Sequence, residues 1–159
     1  MIQGKKWITM MVLSLLALVS GQWLYSHCQV PCGIYDDPMR IKMMEEHITT
    51  IEKAMKEIAS LSKENPVNYN QVARWVMNKD LHADELSDIV TYYFMAQRVK
   101  PVPKTETKDY EAYRDKLELL HQLLTTAMKA KQTIDLSNID ALRDLLKKFE
   151  TAYFGPGPK

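Results

Sequence analysis

The chain has few cysteines, almost no net charge, and no alternation of apolar and polar residues of the kind that forms half-buried strands. Its 159 residues include two cysteines and carry a formal net charge of +1. A charge so close to zero, without a basic cluster, excludes the electrostatic footprint of a nucleic-acid-binding protein. Hydrophobic residues make up 46% and charged residues 26% of the chain, which indicates a folded domain and not a long disordered segment.

The first 26 residues have the features of an export signal. Two lysines precede an uncharged apolar run over residues 7–19, which is short for a membrane span of about 20 residues. Small Ser26 stands directly before His27 and is an acceptable cleavage site, while a cut after Gly21 is the competing possibility. We therefore expect an exported protein, periplasmic or extracellular. If the leader is retained, it would tether the protein to a membrane.

The rest of the chain has the periodicity of amphipathic helices. Apolar residues recur at spacings of three and four in four segments joined by short links. The sequence therefore predicts an all-α fold, an antiparallel up-and-down four-helix bundle over residues 37–154, followed by a flexible tail over 155–159. The apolar stripes expected in the core are Ile41, Met44, Ile48, Ile51, Met55 and Ile58; Val72, Trp75, Val76, Leu86, Ile89, Tyr93 and Ala96; Tyr110, Tyr113, Leu117, Leu120, Leu124 and Ala127; and Ile139, Leu142, Leu146, Phe149 and Tyr153.

Local signals predict where some of these helices begin and break. Asp37 followed by Pro38 is typical of a helix start. Ser137 with Asp140 three residues later resembles a capping box. The second helical segment is expected to break briefly over residues 80–83.

Both cysteines lie in the nine residues that follow the leader, HCQVPCGIY at residues 27–35. A Cys28–Cys32 disulfide is one interpretation for an exported protein, although so short a loop restrains the unfolded chain little. The C-x-x-x-C spacing, without a βαβ context, does not favour a thioredoxin-like redox pair. A structural zinc site needs four ligands, and this segment offers three side chains at most.

Cleavage before His27 would change the chemistry of this segment. The new α-amine, the imidazole, and the amide nitrogen and thiolate of Cys28 could then close adjacent chelate rings on one ion. Cys32 could supply a second sulfur after one tight turn, for which the flanking Pro31 and Gly33 are suitable residues. Planar nitrogen–sulfur ligation of this kind suits nickel or copper better than zinc. Redox catalysis and metal carriage are both compatible with such a site.

The segment resembles the N-terminal hook of nickel-containing superoxide dismutases, whose signature is H-C-x-x-P-C-x-x-Y. Its five fixed positions are filled here by His27, Cys28, Pro31, Cys32 and Tyr35. The resemblance extends to the four predicted helices and so covers essentially everything after residue 26. One position departs from the pattern, because Gln29 stands where family members often carry an acid. That departure puts a local charge role in doubt, but not the ligation.

The resemblance implies one nickel ion per subunit in a hook over residues 27–36, bound by the amine and imidazole of His27, the amide and thiolate of Cys28, and the thiolate of Cys32. The implied catalytic residues are these three and Tyr35, which would shape the small-anion pocket and hold water near the metal. The implied reaction disproportionates superoxide, a small-molecule substrate, to dioxygen and hydrogen peroxide by Ni(II)/Ni(III) cycling. A homohexamer is also implied. No nucleic-acid partner is expected, and membrane contact only through an uncleaved leader.

Other residues able to do chemistry are expected to be structural or solvated. Glu118 and His121 match one E-x-x-H element of di-iron bundles, but such sites require two of these elements and further carboxylates. We expect His47 on a solvated helix face and His82 in a turn. The three consecutive aromatic residues at 92–94 cannot all face one core, so one or two could meet another subunit.

Overall fold

The computed structural model describes residues 37–155, and every regular element in this part of the chain is helical. The elements are α1 (Asp37–Leu61), α2 (Tyr69–Asp88), a π-helical segment (Ile89–Arg98), α3 (Thr107–Gln132) and α4 (Ser137–Phe154). The prediction of an all-helical protein with four helices is confirmed for these residues. The predicted leader and hook lie outside them. Within the described range, no helix is both long and apolar enough to cross a membrane.

Neighbouring helices run in opposite directions around one core. The first residue of α1, Asp37, contacts Tyr153 near the end of α4, whereas Glu52 further along α1 pairs with Arg143 nearer the start of α4 at 2.5 Å. In addition, α1 packs on α2, α2 packs on α3, and α3 packs on α4. Each helix therefore has two neighbours, as in an antiparallel bundle with short connections.

The core is continuous and almost wholly apolar. The predicted stripe of α1 is buried throughout, and in α4 only Tyr153 of the predicted stripe is half-buried. Two predictions for the second stripe are wrong, because Val76 is 37% exposed and Ala96 also lies at the surface. The largest fully buried side chains are Phe94, Phe149, Met44, Ile48, Ile51, Met55, Leu86, Leu120, Leu123, Ile139, Leu142 and Val90.

The π-helical segment places two consecutive residues per turn in the core. In a π-helix the hydrogen bonds join residues five apart, as between the Val99 N–H and the Phe94 carbonyl at 2.8 Å. The repeat is therefore longer than that of an α-helix, and adjacent Tyr93 and Phe94 are both buried. The predicted break over residues 80–83 is wrong. α2 is continuous there, and the geometry changes only at Ile89.

The start of α4 differs from the predicted Ser137–Asp140 capping box. Ser137 is already helical, and the residue before it makes no side-chain capping bond. The carboxylate of Asp135 accepts a hydrogen bond from the Ser137 backbone N–H at 2.9 Å. An aspartate two residues upstream therefore satisfies a free donor of the first turn, because its side chain is short enough to fold back on the backbone.

A buried lysine joins α2 to the end of α3. Lys79 is 2% exposed, and its Nζ donates to the carbonyl oxygens of Ala130, at 2.9 Å, and Lys131. It also pairs with the carboxylate of Asp80 at 2.9 Å. The last carbonyls of a helix lack intrahelical partners and carry partial negative charge, so they compensate a buried ammonium that would otherwise be costly.

Replacing Leu142 with alanine should lower the free energy of unfolding by about 2–5 kcal/mol, because this side chain is fully buried in the core and its loss leaves a cavity. Urea denaturation followed by far-UV circular dichroism measures the change. Leu81 is the matched control, since the same truncation at a side chain 54% exposed should cost no more than about 0.5 kcal/mol. Equal losses in the two variants would contradict this core.

Candidate functional site

The predicted nickel-site residues His27, Cys28, Cys32 and Tyr35 lie outside the described residues, so their ligation stays a prediction. The structure does describe the point at which their segment joins the bundle. Asp37, two residues after Tyr35 in sequence, is the first residue of α1. Its surroundings therefore fix the position of the first described residue after the motif.

The carboxylate of Asp37 is held by side chains from two other elements. Tyr153 in α4 donates its hydroxyl to Oδ2 at 2.8 Å, and Tyr93 in the π-helical segment donates its hydroxyl to Oδ1. Arg98, at the end of the π-helical segment, places its Nε 3.0 Å from Oδ1 and forms an ion pair. These four residues are called the Asp37 cluster below.

The π-helical geometry is what lets Tyr93 and Arg98 act together. Residues three and four apart share a face of an α-helix, whereas the wider π-helix brings residues five apart into line. Accordingly, Nη2 of Arg98 donates to the Tyr93 hydroxyl oxygen at 2.9 Å. The guanidinium groups of Arg98 and Arg40 also lie 4.9 and 4.7 Å from the centre of the Tyr93 ring, within the range of cation–π attraction.

The cluster fixes the protonation of its members. Burial raises the pKa of the Asp37 carboxyl, but hydrogen bonds from Tyr93 and Tyr153 and the charge of Arg98 outweigh burial, so the pKa lies below its ordinary value. Burial, followed by donation to Asp37, raises the pKa of both tyrosines. At neutral pH the carboxylate is therefore ionised and both phenols are protonated, which keeps every donor and acceptor in the cluster in one role.

A cavity of about 210 Å³ lies next to the cluster, and its walls include Arg98 and Tyr153. Lys100, Lys116 and Asp109 supply the other charged groups of the lining. Three cationic side chains and one carboxylate give the cavity a positive local charge. Such a lining favours small anions over neutral molecules or cations.

A second group of metal-ligand side chains lies between α1 and α2. Nδ1 of His47 is 2.9 Å from Nδ1 of His82, and each lies 3.3 Å from Oε2 of Glu85. His47 lies on a helix as expected, but its side chain is only 14% exposed, so the prediction that it is solvated is wrong. The prediction of a turn at His82 is also wrong, because His82 lies within α2 with its side chain 24% exposed. The pair His82 and Glu85, three apart on one helix, was visible in the sequence. His47 reaches them only because α1 packs on α2, and the sequence pattern does not show which residues of the two helices meet.

Glu118 and His121 lie on the exposed face of α3, as expected. The Glu118 carboxylate accepts a hydrogen bond from the side-chain amide of Gln122 at 3.0 Å. Among the residues from 37 to 155, the set of His47, His82 and Glu85 brings three such ligand atoms within reach of one ion.

The chain combines a helical bundle with a histidine–cysteine motif ahead of it in sequence, the combination expected of a metal-binding helical protein. A family model described as nickel-containing superoxide dismutase matches residues 22–156, which is most of the chain and includes the whole motif. The chain belongs to this family. It is therefore an oxidoreductase that acts on superoxide, with nickel as its cofactor. No curated protein and no solved structure matches the chain.

Replacing Asp37 with asparagine should lower the free energy of unfolding by about 1–3 kcal/mol at pH 7, because an ionised acceptor of several hydrogen bonds becomes neutral. The folded pKa of Asp37 lies below its ordinary value of 3.8, so its stabilisation is present above 3.8 and lost as the pH falls through the folded pKa. The difference in the free energy of unfolding between wild type and variant should therefore stay constant from pH 7 down to about 4 and shrink below 3.8. Urea denaturation at a series of pH values measures it.

The control for this experiment is Asp144→Asn, at a carboxylate that is 60% exposed and pairs with Lys148 on the same helix. Exposed pairs of this kind contribute little, so this variant should resemble wild type at every pH. A loss in Asp37→Asn that stayed constant from pH 7 to the acid end would show that the ionised carboxylate is not its cause.

Proposed function

We propose that the chain disproportionates superoxide at a nickel ion bound by His27, Cys28 and Cys32. The observation that carries the proposal is the family match over residues 22–156, which includes every position of the H-C-x-x-P-C-x-x-Y motif. The amine and imidazole of His27, the amide nitrogen and thiolate of Cys28, and the thiolate of Cys32 are the proposed ligands. Pro31 would set the turn between the sulfurs.

The donor set fits nickel. Thiolates are soft anionic ligands, and a planar nitrogen–sulfur arrangement suits nickel(II) or copper(II), whereas zinc prefers tetrahedral sites. Nickel bound there would supply a one-electron couple: one superoxide would give up an electron and leave as dioxygen, and a second would take up that electron and two protons from solvent and leave as hydrogen peroxide. Tyr35 is proposed to bound the substrate pocket and to hold water there.

The Asp37 cluster supports this proposal because it holds the residue at which the ligand-bearing segment joins α1. Asp37 follows Cys32 by five residues, and it is tied through Tyr93, Tyr153 and Arg98 to two other helical elements. A metal site works only if its ligands are held by a rigid scaffold. The positive cavity beside the cluster also suits an anionic substrate such as superoxide.

The α-amine can be a ligand only if the chain is cut before His27. Residues 1–26 are proposed to be an export signal, so that one cleavage releases the protein and creates the ligand. The family match begins at residue 22 and leaves the apolar run outside it, which supports a separate role for that run. The resulting location would be periplasmic or extracellular, or membrane-tethered if the leader stays.

A homohexamer is proposed from the family resemblance. Of the three aromatic residues at 92–94, Tyr93 and Phe94 are buried in the bundle, whereas Tyr92 is 56% exposed. A large exposed aromatic ring is typical of subunit contacts, which supports assembly through this face of the bundle. Light scattering of the purified protein should give six times the mass of one chain, and Tyr92→Ser should reduce it. A monomer would contradict the proposal.

The decisive experiment uses three nickel-loaded proteins: the chain beginning at His27, the same chain with Cys28→Ser, and the same chain with one extra residue before His27. Only the first should consume superoxide rapidly, because the second lacks a thiolate and the third lacks the free amine in the right place. Stopped-flow superoxide decay measures activity, and metal analysis reports bound nickel.

The two rival interpretations of the segment predict different results. A Cys28–Cys32 disulfide in a non-catalytic bundle predicts no free thiols and no bound metal in the protein beginning at His27. A copper or nickel carrier predicts exchangeable metal without superoxide consumption. Full activity of the extended form would show that the amine is not a ligand and would overturn the proposed centre.

A further inference from the structure

We propose that His47, His82 and Glu85 bind a divalent first-row transition-metal ion between α1 and α2, at a site distinct from the nickel hook. The three residues converge from two helices on one point. The inference rests on the packing of the described bundle and does not depend on the proposed hook chemistry.

The spacing of the three ligand atoms matches the first shell of such an ion. Their separations are 2.9, 3.3 and 3.3 Å. A metal–ligand bond of about 2.0–2.1 Å gives neighbouring ligand atoms a separation of about 3.3 Å in a tetrahedron and about 2.9 Å in an octahedron. An ion can therefore be placed at bonding distance from all three atoms once the proton shared by the two Nδ1 atoms has left.

The ligand chemistry is also that of a metal site. Two imidazoles and one carboxylate form a known three-ligand set for zinc, with a further position open to water or another ligand. Glu85 is 46% exposed, so solvent reaches the carboxylate side of the group, whereas His47 is 14% exposed. The site is thus closed on its imidazole side and accessible on the other.

Without a metal ion, the two imidazoles cannot both be protonated without strong repulsion. Two facing Nδ1 atoms can share one proton, and protonating both rings would bring two positive charges within 2.9 Å of each other. Burial lowers the pKa of His47, and repulsion from His82 lowers it further. The carboxylates of Glu85 and Glu46 act in the opposite direction, but the pKa stays below its ordinary value. A neutral imidazole is the form that binds metal, so the site favours the competent state.

Metal binding here should stabilise the fold. His47 and His82 are 35 residues apart and meet only when α1 and α2 are packed, so the complete ligand set exists in the folded state. A ligand at free concentration c that binds only the folded state stabilises it by RT ln(1 + c/Kd), so the unfolding temperature should rise with zinc concentration. The ion would act as a clamp between two antiparallel helices.

The test uses the full chain carrying Cys28→Ser and Cys32→Ser, so that the hook thiols cannot bind the probe. Zinc(II) is titrated by isothermal calorimetry and equilibrium dialysis, and the unfolding temperature is measured with and without zinc. We expect one zinc per chain and a higher unfolding temperature. In the same background, His47→Gln and His82→Gln should each weaken zinc binding by about tenfold or more.

The matched control is His121→Gln, at an exposed histidine outside the group, which should bind zinc like its parent. Circular dichroism of each apo variant checks the fold. Should a histidine variant unfold, Glu85→Gln decides, since this half-exposed side chain can change without opening the core and should also weaken binding. Absence of zinc binding in the parent, or equal binding in the parent and every ligand variant, would overturn the site.

Discussion

The hydrogen bonds and the ion pair of the Asp37 carboxylate are the interactions on which this end of the bundle depends. It stands where the motif-bearing segment becomes α1, and it is bonded to Tyr153 of α4 and to Tyr93 and Arg98 of the π-helical segment. A partly buried carboxylate is costly unless its oxygens are satisfied, and here each oxygen has a phenolic donor. The same bonds that compensate its charge therefore fix the position of the residue that begins α1.

This arrangement requires an irregular helix. If α2 continued with α-helical geometry to residue 98, Tyr93 and Arg98 would point in different directions, because residues five apart do not share a face. The wider π-helical turns bring them together and also bury Tyr93 beside Phe94. Phe94 in turn meets the rings of Phe149 and Tyr153 at 4.9 and 5.4 Å between centroids. Core packing and the anchoring of Asp37 thus depend on the same departure from α-helical geometry.

Features that depend on neighbouring residues in the chain were predictable, and features that depend on packing were not. The buried stripe of α1 follows from helical periodicity, and the family follows from the spacing of a few consecutive residues in the motif. The π-helical segment has no glycine or proline to mark it, so an interruption was predicted too early, at residues 80–83. The meeting of His47 with His82 depends on the register between α1 and α2, which periodicity leaves open.

The two proposed metal centres differ in donor chemistry and would therefore select different metals. Thiolate and amide nitrogen donors in the proposed hook would favour a redox-active nickel ion, whereas the imidazole and carboxylate donors of His47, His82 and Glu85 would accept zinc-like ions without a redox role. His47 follows Asp37 by ten residues, or about 15 Å along α1, so an ion bound at the histidines would act on the helix that begins at Asp37. α2 continues directly into the π-helical segment that carries Tyr93, so the proposed ion and the Asp37 cluster would hold α1 against the same continuous helical stretch at two places. Both contacts would restrain the position of α1, whose first residue follows the motif by two positions in sequence.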